Sequence, residues 1–211
     1  MKATCSIKHT LFGLFFLVSA CSSGQSTADH TGVGGAALNP EKILIVYLTR
    51  TKNTKAVAEM IYEKVGGALV ELELEVPYPE DYRAIVAQVA KENESGYLPL
   101  LKTKVDVSKY EVVFIGFPTW GMQLPPPMKS FLTQYDLSGK TVVPFNTNAG
   151  YGVGSSFDKV KELCPDSTIK EGLSTKGGIE RDGIYYVMEG EKEKQVRVEV
   201  EKWLKKIQVL K

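Results

Sequence analysis

Histidine is nearly missing from this chain. Of 211 residues only His9 and His30 are histidines, and both precede the stretch expected to fold. That excludes any mechanism needing a catalytic or metal-binding histidine in the core, and it leaves Ser155 without a base for serine-hydrolase chemistry. Cysteine is as scarce. Cys5, Cys21 and Cys164 leave no metal cluster, and Cys164, just before Pro165, reads as a small buried residue. No Gly-x-x-x-x-Gly-Lys-Ser/Thr occurs, so a P-loop nucleotide site is excluded. No Gly-x-Gly-x-x-Gly follows the first strand, which excludes a nicotinamide-binding domain; Gly150-Tyr-Gly-Val-Gly154 comes after a later strand. Neither sign of charge dominates. The chain carries 26 basic and 25 acidic residues, and taking away Lys2 and Lys8 leaves 24 against 25. That argues against nucleic acid as a partner.

The first 21 residues carry their own pattern. Lys2 and Lys8 make a basic start, and Leu11 to Val18 is an apolar run too short to span a bilayer. Small residues and a cysteine follow in Leu17-Val-Ser-Ala-Cys21. This resembles the lipobox of bacterial lipoproteins, which implies removal of the leader and lipid on Cys21. The plainer alternatives are a signal peptide cut after Ala20 or a short buried helix. The resemblance places the protein in the cell envelope, anchored to a membrane outside the cytoplasm. No twin-arginine pair precedes the apolar run, so export in the unfolded state is expected. Residues 22–40 are Ser, Gly, Ala and Thr with almost no large apolar residue. They read as a flexible tether holding a domain of residues 41–211 about 25 Å from the lipid.

Within that domain the pattern is strand–helix, repeated about five times. Ile43 to Leu48 are six apolar residues in a row, a strand buried on both faces. A helix with Val57, Met60, Ile61 and Val65 follows and stops at Gly66-Gly67. Val70, Leu72, Leu74 and Val76 alternate with glutamates, which predicts a half-exposed edge strand. Asp81 caps a helix carrying Tyr82, Ile85, Val86 and Val89, and Glu92 to Thr103 reads as loop. Val112 to Phe117 and Thr141 to Phe145 are two more buried strands, with a weaker one in Ser167 to Ser174. Ile184 to Met188 suggests an extra strand or hairpin. The implied fold is α/β: a three-layer sandwich with a five-stranded parallel sheet of order 2-1-3-4-5 and helices on both faces. Ligands on such a sheet bind beyond the carboxyl ends of strands one and three. A response-regulator receiver shares this order, but it needs an Asp where Phe117-Pro118-Thr119 stands.

Three unusual loops sit at that end. The first is Thr49-Arg50-Thr51-Lys52-Asn53-Thr54, running from a buried strand into a helix N-terminus. Unpaired first-turn N–H groups and the helix dipole favour an anion there. The plainer reading is a helix cap. The second runs from Pro118 through Thr119, Trp120 and Gly121. The third runs from Asn146 through Thr147, Gly150, Tyr151, Gly152 and Gly154. Aromatic rings offer flat walls, and glycines allow close backbone approach. Taken singly, Trp120 could be a core or interface aromatic, Tyr151 a surface residue, and Thr119 a strand-end hydroxyl.

The first loop resembles the phosphate loop of flavodoxins, Ser/Thr-x-Thr-Gly-Asn-Thr. It matches at Thr49, Thr51, Asn53 and Thr54 and departs at Lys52, where the family has Gly. Lys52 either takes a less comfortable backbone or reaches over the phosphate as a cation. The resemblance extends over most of residues 42–180 and implies noncovalent FMN. Its implied contacts are Thr49, Arg50, Thr51, Asn53 and Thr54 on the phosphate loop. Around the ring they are Pro118, Thr119, Trp120, Gly121, Asn146, Thr147, Gly150, Tyr151 and Gly152. In flavodoxins a residue beside the flavin can flip its peptide, and Gly121 is the candidate here. Three functions follow. The first is a membrane-tethered electron carrier docking on a redox partner protein. The second is an FMN-dependent NAD(P)H:quinone-type oxidoreductase with a small-molecule acceptor. The third is a lipoprotein of the same fold that binds another ligand.

Overall fold

Six consecutive apolar residues have no polar face to show to water, so the first strand has to be covered on both sides. The computed structural model describes residues 38–210. Cys21, the leader 1–21 and the tether up to residue 37 lie outside the described residues. The described residues include three before Glu41. Leu38 packs against the core, and the Asn39 side chain accepts the Glu41 N–H at 3.0 Å to cap a 3₁₀ turn over Pro40–Lys42. Strand β1 (Ile43–Tyr47) is buried at every position. Ile43, Ile45 and Tyr47 belong to one apolar cluster, with residues of helices α1 (Asn53–Val65) and α5 (Gly190–Lys206). Leu44, Val46 and Leu48 belong to a second, with residues of α3 (Pro126–Gln134) and α4 (Ser156–Leu163). Strict alternation along one strand therefore feeds two cores.

The sheet has the expected parallel order. β1 pairs with β2 (Ala68–Glu71) on one side and β3 (Val112–Pro118) on the other, and β3 pairs with β4 (Thr141–Asn148). The fifth place is shared by two short strands, β5 (Thr168–Ile169) and β6 (Leu173–Lys176), both parallel to β4. Register explains the break. Val142 pairs with Ile169 but Phe145 pairs with Leu173, so the outer chain carries one extra residue, a bulge. The bulge is held rather than loose. The Trp203 indole donates to the Glu171 carbonyl at 2.9 Å, and a Cβ on Gly172 would lie 2.6 Å from the Phe157 ring.

Three further expectations change. The edge strand is β2 at 68–71, not 70–76. After buried Leu72 the chain leaves the sheet, Leu74 bridges Leu101 in antiparallel sense, and Val76 stands 79% exposed. Helix α2 (Tyr82–Ser95), capped by Asp81 as expected, runs well into the segment read as loop and ends at left-handed Gly96. Ile184 to Met188 forms no strand. A 3₁₀ turn at Glu180–Asp182 and one antiparallel bridge, Ile179 to Ile184, make it an irregular strap.

Candidate functional site

β1 ends at the rim where the winding direction reverses, and the backbone there takes a rare shape. Lys52 has φ of +66° and occupies the N-cap of α1 without a side-chain cap. A left-handed residue costs about 1–2 kcal/mol when it carries a Cβ. The Lys52 side chain is exposed and does not line the cavity described below. The first of its two expected features, the less comfortable backbone, is present. The helix N-terminus is thereby left uncapped, with its first-turn N–H groups free of side-chain acceptors. The Thr49 hydroxyl is buried and has no hydrogen-bond partner in the protein. Such a group calls for an explanation.

The other side chains of this loop work on the protein itself. Arg50 Nε meets Glu180 Oε1 at 2.6 Å, while its terminal nitrogens donate to the carbonyls of Pro79 and Glu80. Asn53 Nδ2 donates to Thr51 Oγ1 at 2.8 Å and to the Tyr185 carbonyl at 2.6 Å, and Asn53 Oδ1 accepts from Val187 N at 3.0 Å. The loop thus fastens the strap 177–187 beside itself. Thr54 Oγ1 and Thr147 Oγ1 lie 2.8 Å apart, tying α1 to the end of β4.

The second and third loops are tied to each other. Thr119 N donates to the Thr147 carbonyl at 2.9 Å, and its hydroxyl donates to the Gly152 carbonyl at 3.1 Å. Trp120 and Gln123 face each other across a two-residue turn. Gly121 and Met122 both have positive φ, +57° and +60°, as the primed hairpin turns require. The Met122 carbonyl accepts Ser155 N at 3.0 Å, and a Cβ on Gly154 would come within 2.0 Å of that carbonyl oxygen. Asn148 Oδ1 accepts the N–H groups of Gly150 and Gly152 at 2.8 and 3.2 Å, which fixes the third loop.

Between these loops opens one cavity of about 620 Å³, within the usual range for cofactor sites. The structure brings Arg50, Thr51, Asn53 and Thr54 to its wall from the first loop, and Pro118, Thr119, Trp120 and Gly121 from the second. Thr147, Tyr151 and Gly152 join them from the third. Thr49, Asn146 and Gly150 are not on the wall. For Asn146 the reason is that β4 runs on to Asn148, which buries Asn146 fully. Its amide donates to the Phe117 carbonyl at 3.0 Å and to Thr119 Oγ1 at 2.9 Å, so it positions the second loop from beneath. Gly150 turns outward toward the Lys176 side chain.

Two wall segments were not anticipated. One is the face of α2, with Tyr82, Ile85, Val86 and Val89. Their helical spacing was visible, but spacing does not tell a core face from a cavity face. The other is Gly177 to Arg181 of the strap. The glycine pair was its only local signal: a Cβ on Gly178 would lie 2.2 Å from the Tyr185 carbonyl. The charges of the wall are largely matched, Arg50 with Glu180 and Arg181 with Asp182 at 2.9 Å. Behind it, Lys129 Nζ donates to Asn93 Oδ1 at 2.8 Å, and burial holds its pKa below the ordinary lysine value. Tyr78 stands edge-on to Trp120, centroids 5.4 Å apart at 90°. Burial, then its hydrogen bond to Glu92, pushes the Tyr78 hydroxyl pKa far up. Among the described residues no group of side chains could hold a metal ion. The arrangement suits an elongated ligand with an anionic end and a flat apolar end.

Comparisons with known proteins bear on the fold and the family. The family model described as Flavodoxin matches residues 42–190. Curated proteins gave no match. Among solved structures, a candidate flavoprotein from Bacteroides eggerthii is 30% identical with a TM-score of 0.64, covering 80% of this chain and 99% of that one. A candidate flavoprotein from Bacteroides uniformis is 23% identical with the same TM-score, covering 79% and 99%. A flavoprotein in complex with FMN from Lactobacillus acidophilus is 22% identical with a TM-score of 0.57, covering 64% and 92%. The last two likenesses concern the fold alone.

Proposed function

The chain belongs to the flavodoxin family, and on that premise we propose that it binds FMN noncovalently in the three-loop cavity and serves as an electron carrier. The observation that carries this reading is the convergence of all three loops on one cavity, with an uncapped helix at one end. The residues present fit the cofactor. The α1 N–H groups and the Thr51 hydroxyl supply donors for a phosphate without net charge. Trp120 and Tyr151 supply flat walls for the ring, and the backbone of Gly121 and Gly152 supplies close polar contact. Arg50 and Asn53 act one step removed, by holding the strap. Bound FMN supplies the one- and two-electron redox chemistry.

A second reading, an FMN-dependent reductase of quinone-type acceptors, draws on one observation. The α2 wall and Met122 leave apolar surface open beside Trp120, with Val86 48% and Met122 45% exposed. Turnover of NADH with a quinone separates the two readings. Lipid attachment at Cys21, and with it a place in the cell envelope, completes the proposal; Cys21→Ser should release the protein from membranes. FMN is then captured after export. The direct test is titration of cofactor-free protein with FMN. Saturable 1:1 quenching of flavin fluorescence supports the reading, and colourless protein that ignores added FMN removes it.

A further inference from the structure

Glu92 is a buried carboxyl group that the cofactor site does not use. It lies on α2, is 6% exposed, and is held by two neutral donors. Its oxygens accept from the Tyr78 hydroxyl and from Gln88 Nε2, the latter at 2.8 Å. A buried carboxylate with only neutral partners is costly. Tyr78 in turn meets Trp120 edge-on at 5.4 Å. Trp120 is on the cavity wall, whereas Tyr78 and Glu92 are behind it. Indole, phenol and carboxylate thus run in sequence from the cavity inward.

We propose that Trp120, Tyr78 and Glu92 form an oxidation relay that removes a one-electron hole from the cavity wall. A one-electron oxidant in the cavity, a small inorganic radical or a photo-excited aromatic cofactor, takes an electron from the Trp120 indole. Tyr78 then gives an electron to the indole radical cation, and its hydroxyl proton passes along the existing hydrogen bond to Glu92. Trp120 is restored, Tyr78 is a neutral phenoxyl radical, and Glu92 is a neutral acid. One electron returned to Tyr78 by a soluble thiolate or ascorbate-type reductant, with the proton from Glu92, resets the chain. Phenol oxidation is hindered when its proton has nowhere to go, and a carboxylate already in contact removes that obstacle. Burial keeps Tyr78 protonated at rest, so the proton is there to be transferred. The relay involves protein groups alone. Its use, sparing a photo-excited or over-oxidised cofactor site from damage, rests on the FMN reading.

Pulse radiolysis with azide radicals on the full-length protein, without added cofactor, tests it. Azide radicals oxidise indoles. The expected result is first-order decay of the indolyl absorbance, independent of protein concentration, with matching growth of phenoxyl absorbance. Trp120→Phe removes that phase and leaves only what Trp203 contributes. Tyr78→Phe slows it by about tenfold or more. Glu92→Gln keeps an acceptor for the Tyr78 hydroxyl but removes the base, and slows it comparably. Equal rates in the wild type and in Tyr78→Phe overturn the relay; a wild-type rate in Glu92→Gln overturns the proton step. If Tyr78→Phe does not fold, the glutamine variant reads the same step. Failure of FMN to bind leaves these rates unchanged, so the cofactor reading and the relay fail separately.

Discussion

Lys52 is where a single residue departs most plainly from what its backbone wants. At φ +66° it holds a left-handed turn that glycine would adopt without penalty. Relief of left-handed strain is partly offset by the extra freedom glycine brings to the unfolded chain, so Lys52→Gly should stabilise by about 0.5–1 kcal/mol. Urea unfolding checks this. Because the lysine side chain is off the wall, FMN affinity should not fall; a clear loss would show that its cation does reach the phosphate. The residue scale is also where sequence reading was most uneven. Trp120 and Tyr151 were readable only with the three loops taken together, since singly each had a plainer use as a core or surface aromatic; both line the cavity. Asn146 could not. It reads as a loop amide, but three more residues of strand carry it under the surface. Arg50 and Asn53 were legible as site residues but not as fasteners, because their partners lie about 130 positions away.

Between elements, the strap 177–187 and the α1–α5 pair show two different ways of holding the site. The strap has almost no ladder of its own and depends on Asn53, whose amide engages Thr51, Tyr185 and Val187. Asn53→Ala should leave the Val187 N–H and the Tyr185 carbonyl unpaired and cost about 1–3 kcal/mol. Hydrogen exchange should speed up at Val187 while β1 and β3 stay protected; uniform loosening of the sheet would contradict this assignment. α1 and α5 are joined across their exposed edges by Lys64–Glu201 at 2.7 Å. That bond first, then Lys205, holds the Glu201 pKa down to about 2 from its ordinary 4.5. A folded-state pKa below the unfolded one adds stability above pH 4.5 and loses it as pH falls toward 2. Denaturation midpoints should therefore fall less steeply over that window in Glu201→Gln than in the wild type. Element type was largely legible, because period two and period 3.6 differ. The bulge that divides the fifth strand was not, since its causes, Phe157 and Trp203, sit on helices before and after it.

At the scale of the whole molecule, an α/β sheet with its two faces fully covered leaves one end for chemistry, and that end could be inferred from strand order alone. Strand order does not show how the charges around that end are paired. The wall arginines each face a carboxylate. The apolar faces of α2, Trp120 and Tyr151 complete the enclosure. A site of this kind disfavours added negative charge, because nothing nearby compensates it where the dielectric is low. Bound FMN should therefore take its last electron at a potential below that of free FMN. Lys129 is the exception within this field. Its ammonium is half-buried and bonded to Asn93 and Gln123, two wall residues, rather than to a carboxylate. It is the cation best placed to ease reduction. Lys129→Met should lower the potential further by tens of millivolts, and the shift should shrink little with added salt because the group is shielded from solvent. Spectroelectrochemistry at low and high ionic strength measures both effects. A variant potential equal to or above that of the wild type would show that the Lys129 charge is spent on the two amides and never felt in the cavity.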